Sequence, residues 1–147
     1  QLEEISLEKP ALKSRDYQNA IFLARNGLWS PALKLLQSIK QRQQRDWSVE
    51  AQTQMDLIKL YAQFTTKQAQ QTWVSPSQQV LADLIDGRWD AAMQVFQASG
   101  EDTDEVVAML RSQGDRLLNR VEAALQVNPN QPAVQAWRTQ ILAAQSR

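Results

Sequence analysis

The stretch Gly27-Leu28-Trp29-Ser30-Pro31-Ala32-Leu33 returns once in this chain, at an offset of 60, as Gly87-Arg88-Trp89-Asp90-Ala91-Ala92-Met93. Each copy has the composition of a tight turn between two amphipathic helices. Glycine just past the last apolar-periodic residue is the usual left-handed helix terminator, because it takes a positive φ without steric penalty. The tryptophan plugs the joint, and the alanine lets the second helix approach the first closely. In the first copy Ser30 and Pro31 read as N-cap and first helical residue. The serine oxygen takes an orphan backbone N–H, and proline has no N–H to leave unpaired.

Outward from these turns, apolar residues recur at helical rather than alternating spacing. The first helix is expected over residues 11–26, with Leu12, Tyr17, Ala20, Ile21, Leu23 and Ala24 inward. The second buries Leu33, Leu35, Leu36 and Ile39, and its basic tail, residues 40–45, suits a helix C-terminus. Asp46 or Ser48 caps a third helix reaching about residue 71, whose strong face is Val49, Met55, Leu57, Ile58, Tyr61 and Phe64. Beyond Phe64 this helix turns polar, so its last two turns are expected to project past the core. Trp73 and Val74 are expected to restart burial.

Ser75-Pro76 repeats the cap-plus-proline start. The fourth helix then runs to Asp86, with Val80, Leu81, Leu84 and Ile85 inward, and a short fifth spans residues 89–98. Asp102-Thr103-Asp104-Glu105 is an acidic start for a long sixth helix. Gly114 falls inside that helix at a cost of about 1 kcal/mol relative to Ala, and the apolar period continues on both sides of it. Pro132 opens a seventh helix carrying Val134, Trp137, Ile141 and Leu142. The expected class is all-α, with about seven antiparallel helices and no strand.

The offset of 60 extends beyond the turns. Ile21 aligns with Leu81, Ala24 with Leu84, Leu33 with Met93, Leu36 with Phe96, Leu57 with Leu117 and Tyr61 with Val121. The unit is therefore three helices, present twice. One domain over residues 1–147 is expected, with unit 1 at about 11–72, unit 2 at about 75–127 and a terminal helix at about 131–145.

The Gly-x-Trp-x-x-Ala-Leu stretch, its variant at 87–93, and Ala124-Leu125-Gln126-Val127-Asn128-Pro129-Asn130 resemble tetratricopeptide repeat signatures. The resemblance implies antiparallel helix pairs stacked as an α-solenoid, with the first helix of each pair lining a concave surface that binds peptides or proteins. By that family's spacing, Tyr17, Ile21 and Ala24 of the first helix and Ser77, Leu81 and Leu84 of the fourth are the candidate partner-binding residues. These are mostly apolar, so either a partner or the chain's own third and sixth helices cover them. The family repeats about every 34 residues. Here an extra helix enters each unit, which reverses parity if helices alternate up and down. Three-helix units of the armadillo kind fit the helix count equally well.

Composition sets the chemical limits. The chain of 147 residues is 43% apolar and 22% charged, ordinary for a globular protein. It contains neither Cys nor His, which removes thiol nucleophiles, imidazole acid–base steps, disulfides and Cys/His zinc sites. The charges sum to zero but are segregated. Residues 1–45 carry eight Lys/Arg against four Asp/Glu, residues 46–110 three against ten, and residues 111–147 five against two. Few clustered cations on a neutral chain argue against a nucleic-acid partner. Asp83 and Asp86 share a helix face at i,i+3 spacing and are expected on a solvated surface. No metal, cofactor or catalytic set is expected, and the five tryptophans are expected at packing joints.

The expected function is non-catalytic: a protein–protein interaction or scaffold module of a longer protein, taking a protein or peptide partner. The alternative is a structural spacer or self-association domain of a membrane-anchored or multidomain protein. No nucleic acid and no direct membrane insertion by this segment are expected. Gln at position 1 is read as the mark of a processed chain or excised domain, in the cytoplasm or in the soluble extramembrane part of an anchored protein.

Overall fold

The computed structural model describes residues 7–146; the charged start, residues 1–9, reads from sequence as a frayed lead-in or a short helical turn, and residues 1–6 of it lie outside the described residues. Eight α-helices and no strand occur among the described residues. We label them α1 (Arg15–Arg25), α2 (Trp29–Arg42), α3 (Val49–Gln70), α4 (Pro76–Ile85), α5 (Trp89–Gln97), α6 (Thr103–Ser112), α7 (Gly114–Val127) and α8 (Pro132–Gln145). Short 3-10 turns, Gln44–Asp46 and Gly100–Asp102, precede α3 and α6.

The two recurring turns are built alike, bond for bond. After α1, Leu28 N–H donates to the Leu23 carbonyl at 3.0 Å and Gly27 N–H to Ala24 at 2.9 Å. After α4, Arg88 N–H donates to Asp83 at 2.8 Å and Gly87 N–H to Leu84 at 3.1 Å. This is the six-to-one plus five-to-two pattern that ends a helix through a left-handed residue. Gly27 sits at φ 83° and Gly87 at φ 75°, where a Cβ is strained. Contact adds to this at Gly87, where a Cβ would stand 2.6 Å from Pro31 Cγ. Ala32 and Ala92 are both fully buried, as close helix approach requires.

Two helix starts follow the sequence reading and one does not. Ser48 Oγ accepts from Ala51 N–H at 3.0 Å, and Ser75 Oγ accepts from Gln78 N–H at 3.3 Å. Ser30, expected as an N-cap, instead lies within α2, whose cap position is Leu28 with no side-chain bond. Its hydroxyl has a long-range partner, described below.

Helices α1, α2 and α3 pack in sequence, and α4 to α8 form a second group in which α8 packs on α5, α6 and α7. The two groups are joined by α3 against α4 and by α7 against α1. Helix α3 has 22 residues and α2 has 14, about 33 Å against about 21 Å. Thr66 stands opposite Ser30, at the start of α2, so the last turn of α3 overshoots the first turn motif. α4 comes back antiparallel to it: Gln79 reaches the Ala69 carbonyl at 3.0 Å, and Asp86 arrives level with Ser30 and Thr66. Alternating helices of equal length would send the second turn to the far end of the molecule. The overshoot of α3 brings the two turns into contact instead.

Several local expectations are corrected. The long sixth helix is two, α6 and α7, broken at Gln113 next to Gly114. Gly114 is buried where α8 passes, and a Cβ there would stand 2.3 Å from the Gln145 side chain. Val49, Phe64 and Val74, read as inward, are exposed, Val74 almost completely. Trp29, Trp47, Trp89 and Trp137 pack in or against the core, while Trp73 does not. Trp29 stacks on Tyr61 with centroids 4.5 Å apart, Trp47 meets Tyr17 edge-on at 5.8 Å, and Trp137 lies against Phe96 at 5.6 Å.

Candidate functional site

Asp83 and Asp86 are not solvated: each is about 3% exposed. The i,i+3 spacing that puts them on one helix face is real, and that face is turned inward at the joint between the two turns. Asp86 accepts from the Ser30 hydroxyl through Oδ1 and from Arg88 Nε, 2.7 Å from Oδ2. Ser30 Oγ also lies 3.0 Å from Thr66 Oγ1. One carboxylate thus connects α2, α3 and the second turn. Asp83 accepts from Gln79 Nε2 at 3.1 Å, and the same amide donates to the Ala69 carbonyl at 3.0 Å.

Burial raises the Asp83 carboxyl above its ordinary 3.8. The neighbouring Asp86 charge adds to the rise, while the Gln79 hydrogen bond and the Arg88 charge oppose it. An aspartate with a raised folded-state pKa favours the fold when protonated, so its contribution is lost as pH climbs above the unfolded value. Asp83→Asn keeps an acceptor for Gln79 without the buried charge. The variant should therefore unfold at a higher urea midpoint than the wild type at pH 7. The difference should shrink to nothing below pH 3.8, where both side chains are neutral. A lower midpoint for Asp83→Asn at pH 7 would show that attraction to Arg88 outweighs desolvation.

Beside this joint opens the main apolar cleft, of about 460 Å³. Its floor is α4, through Leu81, Ala82 and Ile85, with Gln78 at one end. One wall is the C-terminal end of α3, Phe64, Thr65 and Gln68, continued by Trp73; the other is Arg116 of α7. The indole N–H of Trp73 donates to the Gln68 carbonyl at 2.8 Å and fixes the wall's edge. Phe64 is 65% exposed and Leu60, one helical turn before it on the same face, is 52% exposed. The apolar surface therefore runs out of the cleft along α3 rather than ending at its mouth.

Arg116 is the single charged residue in this lining, and no carboxylate lines it. Four residues on, Arg120 packs its guanidinium beside Gly27, and its buried Nε has no hydrogen-bond partner. Burial, reinforced by the Arg116 charge, lowers the pKa of Arg120. The ion pairs among the described residues are Arg42–Asp16, Arg88–Asp86 and Arg138–Glu122, and none involves either arginine.

Comparison with protein-family models, with curated proteins and with solved structures returns no match for this chain.

Of the sequence-derived candidates, Tyr17, Ile21, Ala24 and Leu84 are fully buried beneath the chain's own helices. Tyr17 donates its hydroxyl to Gln54 of α3, whose amide nitrogen donates to the Lys9 carbonyl at 2.7 Å. Burial raises the pKa of this phenol above the ordinary tyrosine range. Ser77 is half-buried and absent from the cleft lining; Leu81 is half-buried and forms part of the floor. The structure thus keeps one of the six in the cleft and adds Phe64, Gln68, Trp73, Ile85 and Arg116. The projecting polar end of α3 was the signal that an exposed ledge lay there. That Phe64 belongs to the ledge depends on where α4 lands.

Among the described residues no group of three or more Asp and Glu is placed to hold a metal ion. No helix of the described chain is long and apolar enough to cross a membrane.

Proposed function

We propose that this chain is a non-catalytic protein–protein interaction module of helical-repeat type, which docks a helical segment of a partner protein in the cleft between α3, α4 and α7. The observation that carries the reading is the apolar surface formed by Trp73, Leu81 and Ile85 in the cleft and carried on along α3 by the exposed Phe64 and Leu60. A cleft of this volume lies within the roughly 300–1,000 Å³ typical of small-molecule pockets. The apolar surface, however, extends beyond it by a full helical turn, which suits an i, i+3, i+4, i+7 row of side chains better than a compact ligand. Exposed apolar surface rimmed by polar residues is the usual mark of such an interface.

The repeat reading is supported by two turns with the same hydrogen-bond pattern at an offset of 60. The non-catalytic reading is supported by the lack of His and Cys in the sequence. It is supported further by the joint carboxylates Asp83 and Asp86, whose hydrogen bonds run to the protein itself.

Peptide display against the whole chain, counter-selected on Phe64→Asp, tests the reading. Because Phe64 is exposed, the variant should fold. Enriched sequences should carry a helical apolar stripe and bind Phe64→Asp at least ~10-fold more weakly, the loss expected for a central aromatic anchor. Peptides that bind both proteins equally would place the docking surface elsewhere. Concentration-dependent dimerisation abolished by Phe64→Asp would assign the surface to a second copy of the chain and overturn the partner reading.

A further inference from the structure

We infer that the cleft selects an acidic helix: an apolar row seated on Leu81, Ile85 and Phe64, flanked by carboxylates that face Arg116. This rests on the docking reading above and names the chemistry of the occupant. The cationic character is local and is not what the chain's charge distribution would suggest, since residues 46–110 hold ten acidic against three basic groups. The nearest of those acids are withdrawn from the cleft. Asp83 and Asp86 are buried and held by Gln79, Ser30 and Arg88. Asp56 lies one turn beyond Leu60, outside the lining, and accepts from Gln52 at 2.8 Å. What the cleft presents is Arg116; Lys67, next to Gln68 in sequence, is exposed outside the lining, and Asp115, next to Arg116, lies outside it too and accepts from Gln145 at 3.0 Å.

Three facts give these cations a preference for an anionic occupant. First, Arg116 and Lys67 form no ion pair among the described residues, and the Arg116 bond to Gln113 Oε1 is long at 3.4 Å, so a docked carboxylate displaces no charged partner. Second, Arg120 adds a like charge one turn along α7, close enough for the Arg116 charge to lower its pKa. Third, physiological salt screens exposed charges beyond about 8 Å. The remote acidic residues therefore count for less than the cations at the wall, and apolar side chains around a docked ion pair reduce screening there further.

The experiment uses three designed helical peptides of about 16 residues, with one shared Leu/Ile stripe and Glu, Gln or Lys at the flanking positions. Affinities for the whole chain and for Phe64→Asp, Arg116→Gln and Arg116→Lys are read by fluorescence anisotropy at low and physiological salt. The Glu peptide is expected to bind ~10-fold or more tightly than the Lys peptide, with the gap narrowing as salt rises. Arg116→Gln should cost the Glu peptide roughly 5-fold and leave the Gln peptide unchanged, and Arg116→Lys should recover most of the loss. Equal affinity for all three peptides, weakened alike by Phe64→Asp, overturns acid selection and leaves the docking reading standing. Absence of binding by every peptide overturns both.

Discussion

Trp137→Ala should lose about 4 kcal/mol of stability, the largest effect expected of any single substitution in this chain. Trp137 is fully buried in α8, tilted against Phe96 of α5, and its indole N–H donates to the Trp89 carbonyl at 2.9 Å. Truncation removes the apolar contacts, leaves a cavity that the packed helices α5, α6 and α7 close only in part, and deprives a carbonyl of its donor. The carbonyl matters because it belongs to the first residue of α5, directly after the Gly87 turn, so α8 fixes that turn from behind. Trp137→Phe separates the two terms. It keeps most of the ring packing and loses the hydrogen bond, so it should cost about 1–2 kcal/mol. Urea denaturation followed by circular dichroism reads both variants. If Trp137→Phe proved as damaging as Trp137→Ala, the hydrogen bond rather than the volume would hold the joint. A loss under about 1.5 kcal/mol for Trp137→Ala would mean that α8 does not fix the Gly87 turn.

Asp86→Ala is expected to cost about 3 kcal/mol, the lower end of what removing one partner of a buried pair costs. The lower end applies because Arg88 is 36% exposed and regains water, and Ser30 keeps Thr66 as a neighbour. Asp86→Asn retains an oxygen acceptor for Ser30 and should lose less than half as much. The loss in Asp86→Ala should fall with its counterpart Ser30→Ala, since both interrupt one bond. In a double-mutant cycle the two should be less damaging together than their sum by at least about 0.5 kcal/mol. Strict additivity would mean that the Ser30–Asp86 contact contributes nothing to the joint. Chemical-denaturation midpoints of the four proteins decide it.

These variants probe the feature least accessible from sequence. The turns themselves were legible: a glycine after a periodic apolar run, twice, marked the positive-φ residues Gly27 and Gly87 and the helix ends they close. Ser48 and Ser75 were legible as caps because capping is a contact across three residues. Ser30 looks the same in sequence but bonds across 56 positions, to a carboxylate whose approach depends on the length of α3. Asp83 and Asp86 were misread as surface for the same reason. Spacing shows that two side chains share a helix face, not what that face meets. The break at Gln113 was hidden because the helical period continues through it, and only the passage of α8 over Gly114 explains the small residue there.

The candidate site divides along the same line. Leu81 was named from the family resemblance and does form the floor. Phe64 was taken for a core residue because it continues the inward row of α3, but it lies on the face that also carries Leu60, and both are exposed. Arg116 carries no sequence signal at all, being one of several basic residues on an amphipathic helix. It becomes part of a cleft only when α7 is laid beside α4.

The sequence by itself determined the all-α class, both glycine turns and the apolar rows that build the core. Each of these is set by interactions within a few residues, or by a period that one helix imposes on its own side chains. Tertiary structure alone decided that the two turns meet, that a buried carboxylate joins them, and that an apolar cleft with a cationic wall opens beside them. Those depend on how far one helix extends past another, a length difference that becomes an interface only when the next helix folds back along it.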